Sequence, residues 1–217
     1  HSAEVQFIFG HPNGSRVYVT GMGSNNLVAY DTALNRVGTT TTTTIEVGEG
    51  PTGIVHHPTN GMLFVLNKFG ASISCVDPNP QKEVDRTPLA FDPTPGAIRT
   101  GRKHLYDTHK NSGLGHISCA SCHVDGKLDR LACDLGDPSG AMKPFNQNCP
   151  AGGCQDWHPM KGPMTTQTLQ DIIGKEPHHW RGDRTGIEEF SGAFHGLLGG
   201  DNPLPTVPPN DEMQEFE

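Results

Sequence analysis

The chain has 217 residues, enough for one or two domains with a buried core. It carries 16 Lys and Arg against 24 Asp and Glu, and this net charge of −8 argues against a nucleic-acid partner. It contains neither a signal peptide nor a membrane-spanning apolar run, and its 27 Gly and 18 Pro predict a loop-rich fold. Because it begins at His1 and ends in the helix-like stretch 211–217, we expect a fragment of a longer precursor.

The first third of the chain contains an internal repeat, in which residues 11–31 recur as residues 57–77. Apolar residues occupy equivalent strand positions: Val17/Leu63, Tyr18/Phe64, Val19/Val65 and Ala29/Cys75. Turn residues alternate with short β-rich runs, and the 46-residue period suits one four-stranded propeller blade per repeat. An ordinary antiparallel meander is the alternative. Since a propeller needs at least about four blades, further blades would lie upstream of His1, or the two blades pack in another way.

Two details of the repeat carry predictions of their own. Cys75 is expected to be a small buried core residue. The threonine run 39–44 leads into Ile45-Glu46-Val47, and the high β-propensity of Thr predicts the outer strand of the first blade there.

Residues 1–86 also resemble the YVTN family of β-propellers. Tyr18-Val19-Thr20 and Phe64-Val65-Leu66-Asn67 carry the likeness, and the stretch 47–54 joins them. The resemblance implies antiparallel, four-stranded propeller blades.

A change of pattern marks a domain boundary, because five prolines fall between positions 78 and 95. We therefore predict two blades in residues 1–86, a linker in 87–94 and a second domain in 95–217. Thr94-Pro95 is a good N-cap and first-turn pair for a helix carrying Ile98, Leu105 and Tyr106. Further helices are predicted at Cys119–His123, Thr165–Ile173 and Ile187–Leu198.

The pentapeptide Cys119-Ala120-Ser121-Cys122-His123 is the attachment motif of a c-type haem. Two thiols three residues apart on a helical turn can each form a thioether to the porphyrin, and His123 then gives its imidazole to the iron. A thioredoxin-like redox pair, a zinc half-site and a plain disulfide are the alternatives. A redox pair does not need the trailing histidine, and zinc would require a second Cys/His pair at similar spacing. The motif predicts one covalent haem c.

Three blocks then follow in order: residues 117–123, 162–168 and 180–184. They resemble the haem domain of the di-haem cytochrome c peroxidase/MauG family, in which the haem motif is followed by a Gly-Pro-x-x-x-x-Thr and a Trp-Asp-Gly-Arg segment. The likeness spans residues 92–217. It implies a mainly α-helical, loop-rich, class I-like cytochrome c domain, so the chain as a whole would be a β + α multidomain protein.

The chain departs from that family at two points. It has a single C-x-x-C-H motif, so a second haem domain would lie beyond Glu217. Phe190 stands where the peroxidatic members carry Gln, and no Glu lies between Glu189 and Glu212. Because peroxide cleavage needs an acid/base group above an open iron, these departures favour electron transfer.

The sixth iron ligand is expected in residues 157–164, where the family's distal loop lies. His158 is the favoured ligand, Met160 and Met164 are the alternatives, and His116, His178 and His179 are further histidines to consider. Each could equally be structural. Trp157, Trp180, Phe190 and Phe194 are expected to wall the haem, and Arg181 and Arg184 to pair with its propionates.

Two further features complete the expected domain. Four carboxylates could bind Ca²⁺ or simply cap turns: Asp125, Asp129, Asp134 and Asp137. Cys149 and Cys154 could close a small disulfide loop, with Cys133 as the rival partner.

The sequence thus predicts an exported propeller-cytochrome, periplasmic or extracellular, whose haem passes electrons to or from a partner protein or a neighbouring haem domain. The alternative is an enzyme, a di-haem peroxidase or MauG-like oxidoreductase with its second haem domain beyond the C-terminus. A third is a binding or assembly module that docks through the propeller.

Overall fold

The computed structural model describes residues 5–38, 44–112, 115–142, 158–160, 162–190, 193–194 and 197–198. The chain divides into two compact units. Unit 1 comprises His1–Ser121 together with Asp171–Glu217, and unit 2 comprises Cys122–Gln170. The described structure is mostly antiparallel sheet with few helices, in sheets that have the form of propeller-like blades.

Sheet 1 lies in unit 1 and is antiparallel throughout, in the order β1-β2-β3-β4, with β5 also pairing with β3. Its strands are β1 (Val5–Gly10), β2 (Arg16–Gly21), β3 (Asn26–Asp31), β4 (Arg36–Val37) and β5 (Ile45–Glu46). The short β5 is the described end of the strand predicted from the threonine run, of which residues 39–43 lie outside the described residues.

Sheet 2, also in unit 1, is a four-stranded meander in the order β6-β7-β8-β9. Its strands are β6 (Pro51–His56), β7 (Leu63–Asn67), β8 (Ser72–Asp77) and β9 (Lys82–Pro88). Moving β1 and β3 by 46 residues gives the bounds of β6 and β8, and the strand order of the two sheets matches. The predicted repeat is therefore confirmed. β9 runs two residues past position 86, and the predicted domain limits themselves stay a prediction.

The same turn precedes the second strand of each sheet, which explains why the repeat is visible in sequence. His11 N–H donates to the carbonyl of Arg16 at 2.8 Å, and His57 N–H donates to the carbonyl of Met62 at 2.8 Å. Inside each turn an asparagine side chain accepts a backbone N–H two residues further on, as Asx turns do.

The hydrophobic core lies between the two sheets. Tyr18, Leu27 and Ala29 of sheet 1 pack with a set of apolar side chains from sheet 2: Ile54, Leu63, Val65 and Val76. Fully burying one such side chain contributes about 1.5–3 kcal/mol. The expectation for Cys75 is wrong, because its side chain is only half-buried on the opposite face of sheet 2.

Two helices follow the sheets: α1 (Gly96–Tyr106) and the single turn α2 (Thr108–Asn111). The helix predicted after Thr94-Pro95 is confirmed, but Pro95 occupies the N-cap position. Thr94 precedes the N-cap, and its hydroxyl accepts a hydrogen bond from Arg102 at 3.3 Å. Asp107 caps α2 by accepting the N–H groups of His109 and Lys110.

The helices are anchored on the sheets by hydrogen bonds within unit 1. The N–H and hydroxyl of Thr108 both donate to the carbonyl of Gly23, at 2.9 and 3.1 Å. The Arg102 guanidinium donates to the Phe69 carbonyl, lies 3.5 Å from Asp92, and stacks 5.1 Å from the Phe69 ring centre. These contacts fix α1 against the β7–β8 loop of sheet 2 and α2 against the β2–β3 loop of sheet 1.

Beyond α2 the described chain forms only short elements. They are 3-10 turns at Cys119–Ser121, Val124–Gly126 and Ile187–Phe190, and the strands β10 (Ala132–Cys133) and β11 (Met164–Thr165), which pair with each other. Ala193 and Phe194 are helical. No described helix is long and apolar enough to cross a membrane.

Of the three later helices predicted from sequence, the first is replaced by a shorter 3-10 turn, the second is absent and the third is seen in part. The Cys119–His123 helix is a 3-10 turn that ends at Ser121. Thr165–Ile173 is not helical, because β11 pairs with β10 and Leu169 N–H donates to the Gly126 carbonyl at 2.8 Å. For Ile187–Leu198, the 3-10 turn and the helical residues 193–194 are seen, and part of the range lies outside the described residues.

Candidate haem-attachment site

Cys119 lies in unit 1 in an apolar setting. Its side chain and that of Ile117 pack against a small cluster of buried residues: Ile187, Phe194 and Leu198. The 3-10 turn that carries it is closed by hydrogen bonds between Ser118 and Ser121, whose N–H donates to the Ser118 carbonyl at 3.1 Å. A thiol held among Ile, Leu and Phe side chains has the surroundings that a porphyrin edge prefers.

His123 lies in unit 2, half-buried, with one ring nitrogen already engaged. Its Nδ1 is 2.7 Å from the backbone carbonyl of Gln167. A carbonyl can only accept, so Nδ1 carries the ring proton and Nε2 of the neutral ring keeps its lone pair. This is the arrangement that orients a histidine for binding a metal through Nε2.

Two backbone hydrogen bonds hold the turn that follows His123. Gly126 N–H donates to the His123 carbonyl at 2.9 Å, and Leu169 N–H donates to the Gly126 carbonyl at 2.8 Å. The extended segment 166–169 is thereby fixed beside the motif within unit 2. The Gln167 carbonyl was not found from sequence, because a main-chain group carries no residue-type signal.

The surroundings of Cys122 raise the pKa of its thiol. Burial raises its pKa first, and the nearby Asp129 and Cys133 raise it further. Cys122 and Cys133 both carry free thiols. Cys149 and Cys154 lie outside the described residues, so the disulfide pairing stays a prediction.

The candidates for the sixth iron ligand differ in their hydrogen bonds and in their exposure to solvent. His158 Nδ1 accepts the N–H of Met160 at 3.0 Å, so its neutral ring carries the proton on Nε2, the reverse of His123. Met160 is 54% exposed, and Met164 lies half-buried in β11. The structure brings these candidates into unit 2 without selecting one of them.

Within unit 1, His179 has a carboxylate partner. Its Nδ1 lies 2.8 Å from Asp183, and its ring packs edge-on against Phe190 at 4.7 Å. Burial by itself raises the pKa of Asp183. The hydrogen bond from His179 and the charge of His179 outweigh burial, so the pKa of Asp183 is lowered. His178 contacts Glu176 at 3.7 Å, and His116 is exposed.

The residues expected around the porphyrin differ in their exposure to solvent. Phe194 is buried and Phe190 is half-buried, both in the cluster around Cys119. Trp180 is 60% exposed, Arg181 is exposed, and Arg184 donates to the Asp183 carbonyl. Trp157 lies outside the described residues.

The carboxylates considered for Ca²⁺ take part in turns of unit 2. Asp129, Asp134 and Asp137 each accept the backbone N–H of the residue two positions further on, and Asp125 has a left-handed backbone with φ of 53°. Within the described parts of the chain, no group of three or more His, Cys, Asp or Glu side chains is arranged to hold a metal ion. Ca²⁺ binding stays a prediction.

Comparison with protein families and with curated proteins gives no match. Two solved structures share part of the chain's geometry: hydrazine synthase of Kuenenia stuttgartiensis, at 18% identity and a TM-score of 0.36, and selenomethionine-substituted virginiamycin B lyase from Staphylococcus aureus, at 15% and 0.34. The aligned parts cover 43% of this chain and 26% of the former, and 44% of this chain and 29% of the latter. Each match thus spans less than a third of the other chain, and both scores are too low to carry an argument.

Proposed function

We propose that this chain combines two propeller-like sheets with a c-type haem module that transfers electrons. The observation that carries the proposal is the C-x-x-C-H motif with His123 Nδ1 donating to the Gln167 carbonyl, because this leaves Nε2 as a ready axial ligand. The residues fit a covalent haem: Cys119 and Cys122 carry thiols, and Cys119 packs against apolar side chains.

In this proposal the haem, when bound, supplies reversible one-electron chemistry. The chain supplies the rest. Cys119 and Cys122 attach the group, and the Gln167 carbonyl holds the proton at His123 Nδ1. The side chains around Cys119 exclude water, which tunes a reduction potential through burial. Thioether attachment also supports export to an oxidising compartment.

The alternative, a peroxidase or MauG-like oxidoreductase, lacks support from the groups around Phe190. Phe190 packs against the ring of His179, and neighbouring Glu189 accepts hydrogen bonds from both the N–H and the hydroxyl of Thr185. A carboxylate held in this way is poorly placed to protonate a leaving oxygen. Electron transfer is therefore the function we favour.

Attachment is tested by expressing the chain with haem-maturation machinery, denaturing it in acid and extracting it with organic solvent. We expect the haem to remain on wild-type protein and on the matched control Cys133→Ala. Double replacement of Cys119 and Cys122 by Ala should release it. Haem that leaves the wild-type chain with the solvent would show that the proposal is wrong.

A further inference from the structure

The contact between sheets 1 and 2 uses different faces of the two repeats. Sheet 1 contributes Phe9, Tyr18, Leu27 and Ala29, which we call face A, and their equivalents 46 residues later define face A of sheet 2. Sheet 2 contributes the opposite face, which we call face B, carrying Ile54, Leu63, Val65 and Val76. The interface within the chain is therefore face A of one repeat on face B of the next.

Face A of sheet 2 is apolar and open. By position it carries Val55, Phe64, Ile73 and Cys75, which are the equivalents of the four sheet 1 residues. Val55 is 59% exposed and Leu66 on the same face is 43% exposed. A shallow groove of about 270 Å³ runs across this face, lined by Gly53, Val55, Phe64, Leu66 and Ile73 of face A and by the adjacent residue Ile54 of β6. A contiguous apolar patch of this kind marks an interaction surface.

Sheet 1 displays the complementary surface on its other side. Its face B carries Ile8, Val17 and Val19, which are the equivalents of Ile54, Leu63 and Val65, together with Val28, which is buried within the chain. Ile8 is 65% exposed, and Val17 and Val19 are partly exposed. Unit 1 thus exposes parts of both faces that its two sheets already use to pack against each other.

We propose that a second copy of this chain docks through these two surfaces, with face B of its sheet 1 covering face A of sheet 2. This contact would continue the interface between sheets 1 and 2, because apolar side chains occupy the equivalent repeat positions on the exposed faces. Such head-to-tail contact is heterologous, so it closes into a ring or continues as an open stack rather than stopping at a symmetric dimer. The proposal is independent of the haem.

Sedimentation velocity of the 217-residue chain over a concentration series up to about 1 mM tests the proposal. We expect wild type to form concentration-dependent species larger than a monomer. Val55→Glu removes face A of sheet 2, Ile8→Glu removes face B of sheet 1, and each variant alone should be monomeric. Phe91→Glu, at a position 75% exposed and outside both sheets, is the matched control and should assemble like wild type.

Mixing the two monomeric variants gives the sharpest result. Each retains the surface that the other lacks, so the mixture should form a dimer of one Val55→Glu and one Ile8→Glu chain and nothing larger. Circular dichroism confirms that each variant is folded, and Leu66→Glu replaces Val55→Glu if the latter is not. A wild-type chain that stays monomeric throughout, as it would if another segment covered the face, overturns the proposal. Assembly that survives both variants overturns it equally.

Discussion

The position of one proton decides how His123 can act. Its Nδ1–H is held by the Gln167 carbonyl, whereas His158 uses Nδ1 to accept the Met160 N–H. Of the two, His123 presents an Nε2 lone pair without any change, and His158 does so only if the proton moves to Nδ1 and that hydrogen bond breaks. Binding the iron therefore requires no rearrangement at His123, the proposed proximal ligand, and the loss of a hydrogen bond at His158, the proposed distal ligand.

Replacing His158 by Gly tests the proposed sixth ligand. If His158 binds the iron, the ferric optical spectrum should change from low spin to high spin, and the variant should bind cyanide or azide readily. His57→Gly, at an exposed histidine in the turn between β6 and β7, serves as the control. An unchanged spectrum would move the assignment to Met160 or Met164, and a wild-type iron already high spin would contradict a six-coordinate site.

The surroundings of Asp92 predict that folding is sensitive to acid. The Thr94 N–H first, and the charge of Arg102 in addition, lower the pKa of Asp92 below its ordinary value of 3.8. A carboxyl with a lower pKa in the folded state contributes stability above the unfolded value, and this is lost as the pH falls through the folded value. Asp92→Asn should therefore flatten the decline of the urea midpoint below pH ~4. Equal declines in both proteins would contradict the assignment.

At the scale of elements, the sheets could be predicted because their pattern is local. Alternating apolar residues and the repeated His-Pro turn define strands and register within each repeat, and the offset identifies equivalent positions. The 165–173 segment could not be predicted in this way. Leu169, Ile172 and Ile173 have helical spacing, but distant pairing of β11 with Ala132–Cys133 prevails over this local signal.

The core between the sheets should dominate the stability of unit 1. Leu63 is fully buried there, so Leu63→Ala should cost about 2–5 kcal/mol of unfolding free energy. Leu131→Ala, at a position 61% exposed, is the matched control and should stay within about 0.5 kcal/mol of wild type. Denaturant unfolding measures both, and equal effects would contradict the proposed core.

The turn after His123 should depend on a glycine. Gly126 has a φ of +70° and its carbonyl accepts the Leu169 N–H, so Gly126→Ala should cost about 1–3 kcal/mol through backbone strain. Gly96→Ala, at the start of α1 with open space around its Cβ position, should be neutral or stabilising by up to ~1 kcal/mol. Thermal unfolding compares the two, and indistinguishable variants would contradict the strained turn.

For the whole molecule, the sequence predicts the side chains that would react more fully than it predicts the groups that surround them. The C-x-x-C-H motif predicts a cofactor class because the groups that would react, on Cys119, Cys122 and His123, lie within five consecutive residues. The partner of His123 is a backbone carbonyl 44 positions away, and the apolar cluster around Cys119 comes from residues beyond 171. These contacts depend on the folded path of the chain, so the residue pattern alone could not supply them.

The mass of the tryptic peptide 111–127, released by cleavage after Lys110 and Lys127, tests covalent haem attachment most directly. From chain matured with haem, we expect this peptide to exceed its sequence mass by one haem, with neither Cys119 nor Cys122 open to alkylation. A peptide of unmodified sequence mass, in which both thiols alkylate, would contradict the central claim.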